Sequence, residues 1–217
     1  MLLKIDSSQL EWRVKAFLAQ DEVAIREILN GEDLHSDNQK AFGLPSRIIA
    51  KVFVYRMIFA DAFGERGFSG PAWSYANDID FMPTSKSPKF WEKVIEKFFG
   101  KYGGCYAHSL CLIRQASTNG RLVIPTGRFY PISQKVNFRG QTDWPRTEII
   151  NYPIQGLAAD LMKFYRLLLW KNLKPIMELE PEVKLICTVH DDVEIDVAND
   201  PELCYNICQI MIQTWRE

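Results

Sequence analysis

Asp191 and Asp192 stand side by side in TVHDDVEIDV, a stretch rich in β-forming residues. Adjacent carboxylates repel each other and resist burial. A hairpin turn is the plain explanation, because Asp favours turns, and a turn at a sheet edge also exposes a carboxylate. A further acid has a similar setting: Asp6 closes the apolar run LLKI and precedes SSQLEW. If the two strands lie close together, these carboxylates can hold a pair of Mg²⁺ ions through oxygen ligands. Such a metal pair clamps the attacking and leaving oxygens of a phosphoryl transfer. That chemistry alone fits nucleases, polymerases and phosphatases equally.

A helix narrows the choice. Arg47, Lys51, Tyr55 and Phe59 recur every four residues, which places them along one face. The cations come first and the aromatics follow, matching a triphosphate with its polyanionic tail and flat base. Arg offers forked donors to phosphate oxygens and Lys a point charge. Aromatic rings offer a stacking surface. The plainer alternative is a surface helix with solvated cations and core aromatics.

These side chains need a scaffold. The chain has 217 residues, 47% of them apolar and 24% charged, which suits one large or two small globular domains. A formal net charge of -1 excludes a general basic coat, so any nucleic-acid site is a local concentration of charge. The five cysteines are scattered without a CxxC pair, which argues against structural zinc and for a reducing compartment. The N-terminus lacks a signal-peptide pattern and no apolar run is long enough to span a bilayer. A soluble cytoplasmic protein, without membrane partners, is expected.

The pattern predicts a strand ending at Asp6, then one helix to about Leu29, stopped by Asn30-Gly31. A short helix over DLHSDNQKAFG ends at Gly43, and Pro45-Ser46 opens a long helix that closes near Gly64. Residues 64–90 read as loop or short helix, and KFWEKVIEKFFGKY as an amphipathic helix. Residues 105–130 alternate, with Asn119-Gly120 as a hairpin turn. Residues 131–145 read as polar loop, followed by a long helix from Asn151, two short strands around the acids and a closing helix.

Taken together, the motifs resemble family A, Pol I-like, DNA polymerases. KIDSSQLEWR is similar to motif A (D-Y-S-x-x-E-x-R), SRIIAKVFVYRMIF to motif B (R-x3-K-x3-F/Y-x3-Y) and VHDD to motif C (V-H-D-E). DLHSDNQKAFG resembles the fingers segment D-x-H-x-x-x-A-x-x-x-F-G, and NYPIQGLAADLMK the N-x-x-x-Q-G-x-A-A-D helix. The blocks occur in family order and span most of the chain.

The resemblance implies an α+β fold: a polymerase palm, with a small antiparallel sheet and packed helices, carrying a helical fingers insertion. Palm would comprise residues 1–29 and 146–217, fingers 30–145. It implies a template-directed DNA polymerase that transfers deoxynucleotides to a primer 3′-hydroxyl with two Mg²⁺ ions, Mn²⁺ being a substitute. Asp6 and Asp191 would bind metal, with the Ser7 carbonyl as a further ligand and Asp192, in place of the usual Glu, in support. His35 and Arg47 would hold the outer phosphates. Lys51 would bind phosphate and protonate the leaving group, Tyr55 would sit by sugar and base, and Phe59 would keep the stacking ring. Glu11 matches the position that blocks a 2′-hydroxyl. Arg13, Asn151, Gln155 and His190 would contact primer–template DNA.

Some positions depart from the family. Ser7 stands where Tyr is common, Phe59 replaces Tyr and Ala60 replaces Gly. Arg146 lies five residues before Asn151, where the family places a cation four before. No segment resembling a thumb or an exonuclease domain precedes motif A. A second polypeptide supplying the thumb and remaining palm is therefore expected, as in a split viral or phage polymerase, unless these parts belong to a longer form of this chain. The competing readings are a non-catalytic nucleic-acid-binding or assembly subunit that keeps the fold, a two-metal nuclease, and a single-subunit RNA polymerase.

Overall fold

The structure is a computed structural model and describes residues 1–59, 68–77, 86–136 and 140–216. In chain order the elements begin with β1 (Leu2–Asp6), α1 (Leu10–Ala19), α2 (Glu22–Leu29), α3 (Leu34–Phe42), α4 (Arg47–Phe59) and α5 (Ser69–Asn77). Then come α6 (Pro88–Lys101), α7 (Gly103–Asn119), β2 (Arg121–Val123), β3 (Phe129–Pro131), β4 (Lys135–Val136) and β5 (Thr142–Asp143). The chain closes with α8 (Arg146–Leu179), β6 (Lys184–Val189), β7 (Asp192–Asp196) and α9 (Pro201–Thr214). Two compact units emerge: Met1–Leu10 with Gln155–Glu217, and Glu11–Ile154.

The first unit is built on a three-stranded antiparallel sheet in the order β1-β7-β6. Its register sorts the side chains by face. Leu3 pairs with Ile195 and Ile5 with Val193, whereas Lys4 faces Glu194 and Asp6 faces Asp192. Val193 and Ile195 are fully buried, as are Leu169 and Leu173 of α8 and Ile207 of α9. Tyr165 ties the two helices together: its hydroxyl donates to the Met211 carbonyl at 3.0 Å, and its ring lies 4.5 Å from that of Trp215.

The second unit has an aromatic core in which Phe53 of α4 packs 5.9 Å from Trp91 and 5.6 Å from Phe98 of α6. A polar knot crosses this core. The Tyr102 hydroxyl donates to Glu27 at 2.7 Å, and Lys101 donates to Asn38 at 2.8 Å while pairing with Glu27 at 2.9 Å. A second polar group lies between α1 and α7. Lys15 is only 2% exposed, and its Nζ donates to Ser109 Oγ at 2.7 Å.

Four local readings change. The single helix expected over residues 10–29 breaks at Gln20, whose φ is +48°, because the Asp21 carboxylate caps Ala24 N–H at 3.0 Å and also accepts from Cys105 N–H at 2.9 Å. Asn119-Gly120 is no hairpin turn: α7 runs to Asn119 and Gly120 is its left-handed C-cap at φ +64°, a role as suited to Gly as a turn. Residues 131–145 are not wholly loop, since β4 pairs with β5. The helix expected from Asn151 starts at Arg146. Ala60 and the far end of the motif B helix lie outside the described residues.

Candidate active site

Strand pairing brings the acids together. β6 and β7 form a hairpin in which Val189 pairs with Asp192, so His190 and Asp191 make the two-residue turn. His190 takes φ +55°, a left-handed conformation that costs an L-residue energy. Ser7 N–H donates to the Asp191 carbonyl at 3.0 Å, which clips the end of β1 to that turn. One carboxylate oxygen from each of Asp6, Asp191 and Asp192 lies within 4.8 Å of the others. Asp6 is exposed, and the other two acids are half-buried.

Lys4 Nζ meets Asp192 Oδ2 at 2.6 Å, while Asp192 Oδ1 is buried without a hydrogen-bond partner. Burial, and then the charges of Asp191 and Asp192, raise the Asp6 carboxyl above the ordinary aspartate value. A set of hard oxygen donors, one of them buried and unsatisfied, fits a divalent cation. The Ser7 carbonyl accepts from Leu10 N–H at 3.2 Å, and a carbonyl keeps a second lone pair for a ligand. His190 is exposed beside the cluster and Gln155 is exposed in α8. Lys4 was not singled out from the sequence. The available signal was its place two residues before Asp6, hence on the same face of the strand.

The second unit holds the other predicted residues. Arg47 grips Asp33 with a fork, Nε to Oδ2 at 3.0 Å and Nη2 to Oδ1 at 3.1 Å. Asp33 also caps α3, accepting from the N–H groups of His35 and Ser36. Arg47, first, and the Ser36 hydroxyl, second, hold the Asp33 carboxyl well below the ordinary range. His35 is 4% exposed, and its Nδ1 is buried without a partner. Burial, then the Arg47 charge, lowers the ring below its ordinary 6.5, which keeps it neutral at neutral pH. The His35 and Tyr55 rings lie 5.9 Å apart, and Tyr55 stacks on Phe59 at 6.1 Å. Lys51 is exposed one turn after Arg47. The basic-then-aromatic row along α4 is thus present, with His35 beside it. Glu11 is half-buried and Arg13 exposed on α1, and Asn151 is half-buried on α8. Asp33 belongs to the D-x-H block, but the pattern does not announce its pairing with Arg47.

Asp33→Asn keeps a good helix cap and removes the charge, whereas Asp33→Ala removes both. Urea unfolding is expected to place Asp33→Ala about 1 kcal/mol below Asp33→Asn, because the cap carries the stability and an exposed ion pair adds little. Equal stabilities would show that the cap contributes nothing.

Beyond the geometry, the profile of DNA polymerase family A matches residues 1–215. The chain belongs to DNA polymerase family A. DNA polymerase I of Mycobacterium leprae is 28% identical over 200 residues, covering 91% of this chain and 21% of the relative. DNA polymerase I of Lactococcus lactis subsp. cremoris is 31% identical over 204 residues, 91% of this chain and 22% of the relative. The thermostable DNA polymerase I of Thermus filiformis is 28% identical over 209 residues, 92% of this chain and 23% of the relative. This family A chain therefore spans about a fifth of the length of the curated relatives it matches. The polymerase domain of Pol1 from M. smegmatis, solved with DNA primer-template and dNTP, superposes with a TM-score of 0.80 at 22% identity, over 99% of this chain and 36% of that one. The helices and small antiparallel sheets thus form a polymerase-domain fold. Among the described residues, no helix is long and apolar enough to cross a membrane.

Proposed function

We propose that this chain carries the catalytic palm, residues 1–29 and 146–217, and the fingers, residues 30–145, of a template-directed DNA polymerase. The observation that carries the reading is the convergence of Asp6, Asp191 and Asp192 within 4.8 Å in a family A chain. Asp6 and Asp191, with the Ser7 carbonyl, would hold two divalent cations, Mg²⁺ or Mn²⁺ in its place, and Asp192 supports them while tied to Lys4. Bound there, the cations would supply positive charge where negative charge builds up during transfer to the α-phosphate.

The protein's own groups account for the rest. Arg47 and neutral His35 donate to the outer phosphates of the deoxynucleoside triphosphate, with Arg47 exchanging the Asp33 carboxylate for phosphate oxygens. Lys51 binds phosphate and gives a proton to the departing pyrophosphate as the primer 3′-oxygen attacks. Tyr55 and Phe59 present stacked rings to the base and sugar. Glu11 excludes the ribose 2′-hydroxyl. Arg13, Asn151, Gln155 and His190 position primer and template. Grip on duplex DNA comes from many phosphate contacts, and a net charge of -1 supplies few of them. The thumb and remaining palm would come from a second polypeptide or from a longer form of this chain, in a cytoplasmic setting.

Primer extension tests this. With a labelled primer-template, deoxynucleotides and Mg²⁺, extension is expected to disappear with chelator and to be slow with ribonucleotides. The chain alone is expected to work far more slowly than with its partner. Degradation of DNA without added nucleotides would instead establish the nuclease. Nucleotide-independent DNA binding with no extension in any combination would leave a non-catalytic subunit.

A further inference from the structure

We propose that Lys4 is a positioning residue of the acidic site: it withholds one Asp192 oxygen from the cations and lowers the affinity of the cluster for them. This rests on the polymerase reading and deepens it, by giving a role to a side chain outside the D-Y-S-x-x-E-x-R pattern.

Strand pairing puts Lys4 on the face of the acids. It lies two residues before Asp6 in β1, and its cross-strand partner in β7 is Glu194, while Asp6 pairs with Asp192. Directly opposed side chains are the nearest across a sheet, and only long side chains reach the diagonal. Lys4 takes the diagonal. Its Nζ lies 2.6 Å from Asp192 Oδ2, its one ion pair among the described residues. Glu194 Oε2 accepts instead from Cys187 Sγ at 3.4 Å. The lysine thus reaches along β1 towards the end of the sheet that carries the acidic turn.

This contact divides Asp192 between two tasks. Oδ2 is taken by the ammonium, and Oδ1 is the buried atom without a hydrogen-bond partner. A carboxylate held in this way meets a cation through a single oxygen and cannot grip it with both. Charge acts in the same sense. Three carboxylates carry a formal charge of -3, and one ammonium reduces it to -2, so an entering divalent ion meets less attraction and a like charge close by. Asp192 keeps its orientation without the lysine, because β7 pairs on both sides and the side chain is only 14% exposed. Removing the ammonium therefore costs little order and returns an oxygen and a unit of charge to the metal.

Mn²⁺ binding to the intact chain, read from the paramagnetic resonance of the free ion at fixed pH, tests this without turnover. Lys4→Met is expected to tighten binding about fivefold, and Lys4→Arg, which keeps the cation, to stay within about twofold of the wild type. Lys184→Met is the charge control. Lys184 pairs with Asp196, four residues or about 13 Å along β7 from Asp192. That exceeds the Debye length of about 8 Å at physiological salt, so Mn²⁺ affinity should not change. Both lysines are exposed, so the variants should fold as the wild type does. In primer extension at saturating metal, Lys4→Met is expected to lose about tenfold in rate, because partners of metal-site carboxylates set their geometry. Unchanged or weaker Mn²⁺ binding by Lys4→Met, an equal gain in Lys184→Met, or an unchanged extension rate would each overturn the proposal. If the wild type binds no Mn²⁺, the metal reading itself fails. If it binds and Lys4→Met binds equally, only the role of Lys4 fails.

Discussion

Asp191→Asn is expected to slow nucleotide incorporation about 10³-fold, in whichever form extends a primer, the chain alone or the assembled enzyme. The amide keeps the shape of the turn and the Ser7 N–H to Asp191 carbonyl bond, but it removes one of three converging carboxylates. Charge stabilisation by bound metals is worth several kcal/mol at a transition state, and each 1.36 kcal/mol is tenfold in rate. Single-turnover quench at saturating nucleotide measures the loss, and Asp6→Asn should show a similar one. Stability provides an independent readout. A ligand that binds only the folded state raises its midpoint, so Mg²⁺ should stabilise the wild type and fail to stabilise the variant. Without metal the order reverses. Asp6 has its pKa raised by burial and by its acidic neighbours, so its ionisation costs folded-state stability as the pH climbs above the ordinary value of 3.8. Asp191→Asn removes part of that repulsion and should flatten the decline. Retained incorporation, or equal stabilisation by Mg²⁺, would refute the metal assignment.

Lys15→Met is expected to stabilise the protein at pH 7 by about 3 kcal/mol at most, a rise of about 6–12 °C in the midpoint at that limit. Lys15 is 2% exposed, with Ser109 Oγ at 2.7 Å and His108 Nδ1 at 3.4 Å. Burial depresses its amine to about 8, against pulls from Cys105 and Asp21 in the other direction. His108 is half-buried, and burial lowers its ring to about 4, so it is neutral at pH 7 and offers Lys15 no counter-charge. A base with a lowered folded pKa costs stability while both states are protonated. That cost is relieved as the pH rises from about 8 towards 10.5, where the unfolded chain alone still binds the proton. Wild-type stability should therefore climb between pH 8 and 9, and the Met variant should not. Above pH 9 the buried Cys105 thiol, pushed up to about 12, opposes the trend, because the unfolded thiol ionises first. Met also fills the lysine stem's volume, and Ser109 keeps its bond to the Cys105 carbonyl at 3.1 Å. Urea titrations at pH 7, 8 and 9 decide the matter. A destabilised variant with an unchanged pH slope would show that the lysine is a net stabiliser of α1 and α7.

Some of this was legible because it is local. Asp6 at the end of an apolar run, and the acid pair inside a β-rich stretch, are patterns of period two. The row from Arg47 to Phe59 is a pattern of period four residues, and α4 displays it as read. The misreadings share a cause. Asn-Gly adopts left-handed backbone equally well in a hairpin turn and at a helix end. What made it a helix end was burial of Cys105, Ser109, Leu112 and Ala116, a helical stripe of mostly small residues that hydrophobic patterning barely registers. The break at Gln20–Asp21 depended on Cys105, whose amide reaches the Asp21 carboxylate from 84 residues away.

The order of chemical groups along the chain thus determined which groups are offered: carboxylates of the kind that can take a metal ion, and a helix face of cations followed by rings. Tertiary structure alone decided their partners: Lys4 against Asp192, Asp33 in the grip of Arg47, and Lys15 enclosed by α7. Side-chain chemistry travels with the residue, but charge pairing and burial are set by neighbours that folding brings from distant positions, and these control pKa and exposure.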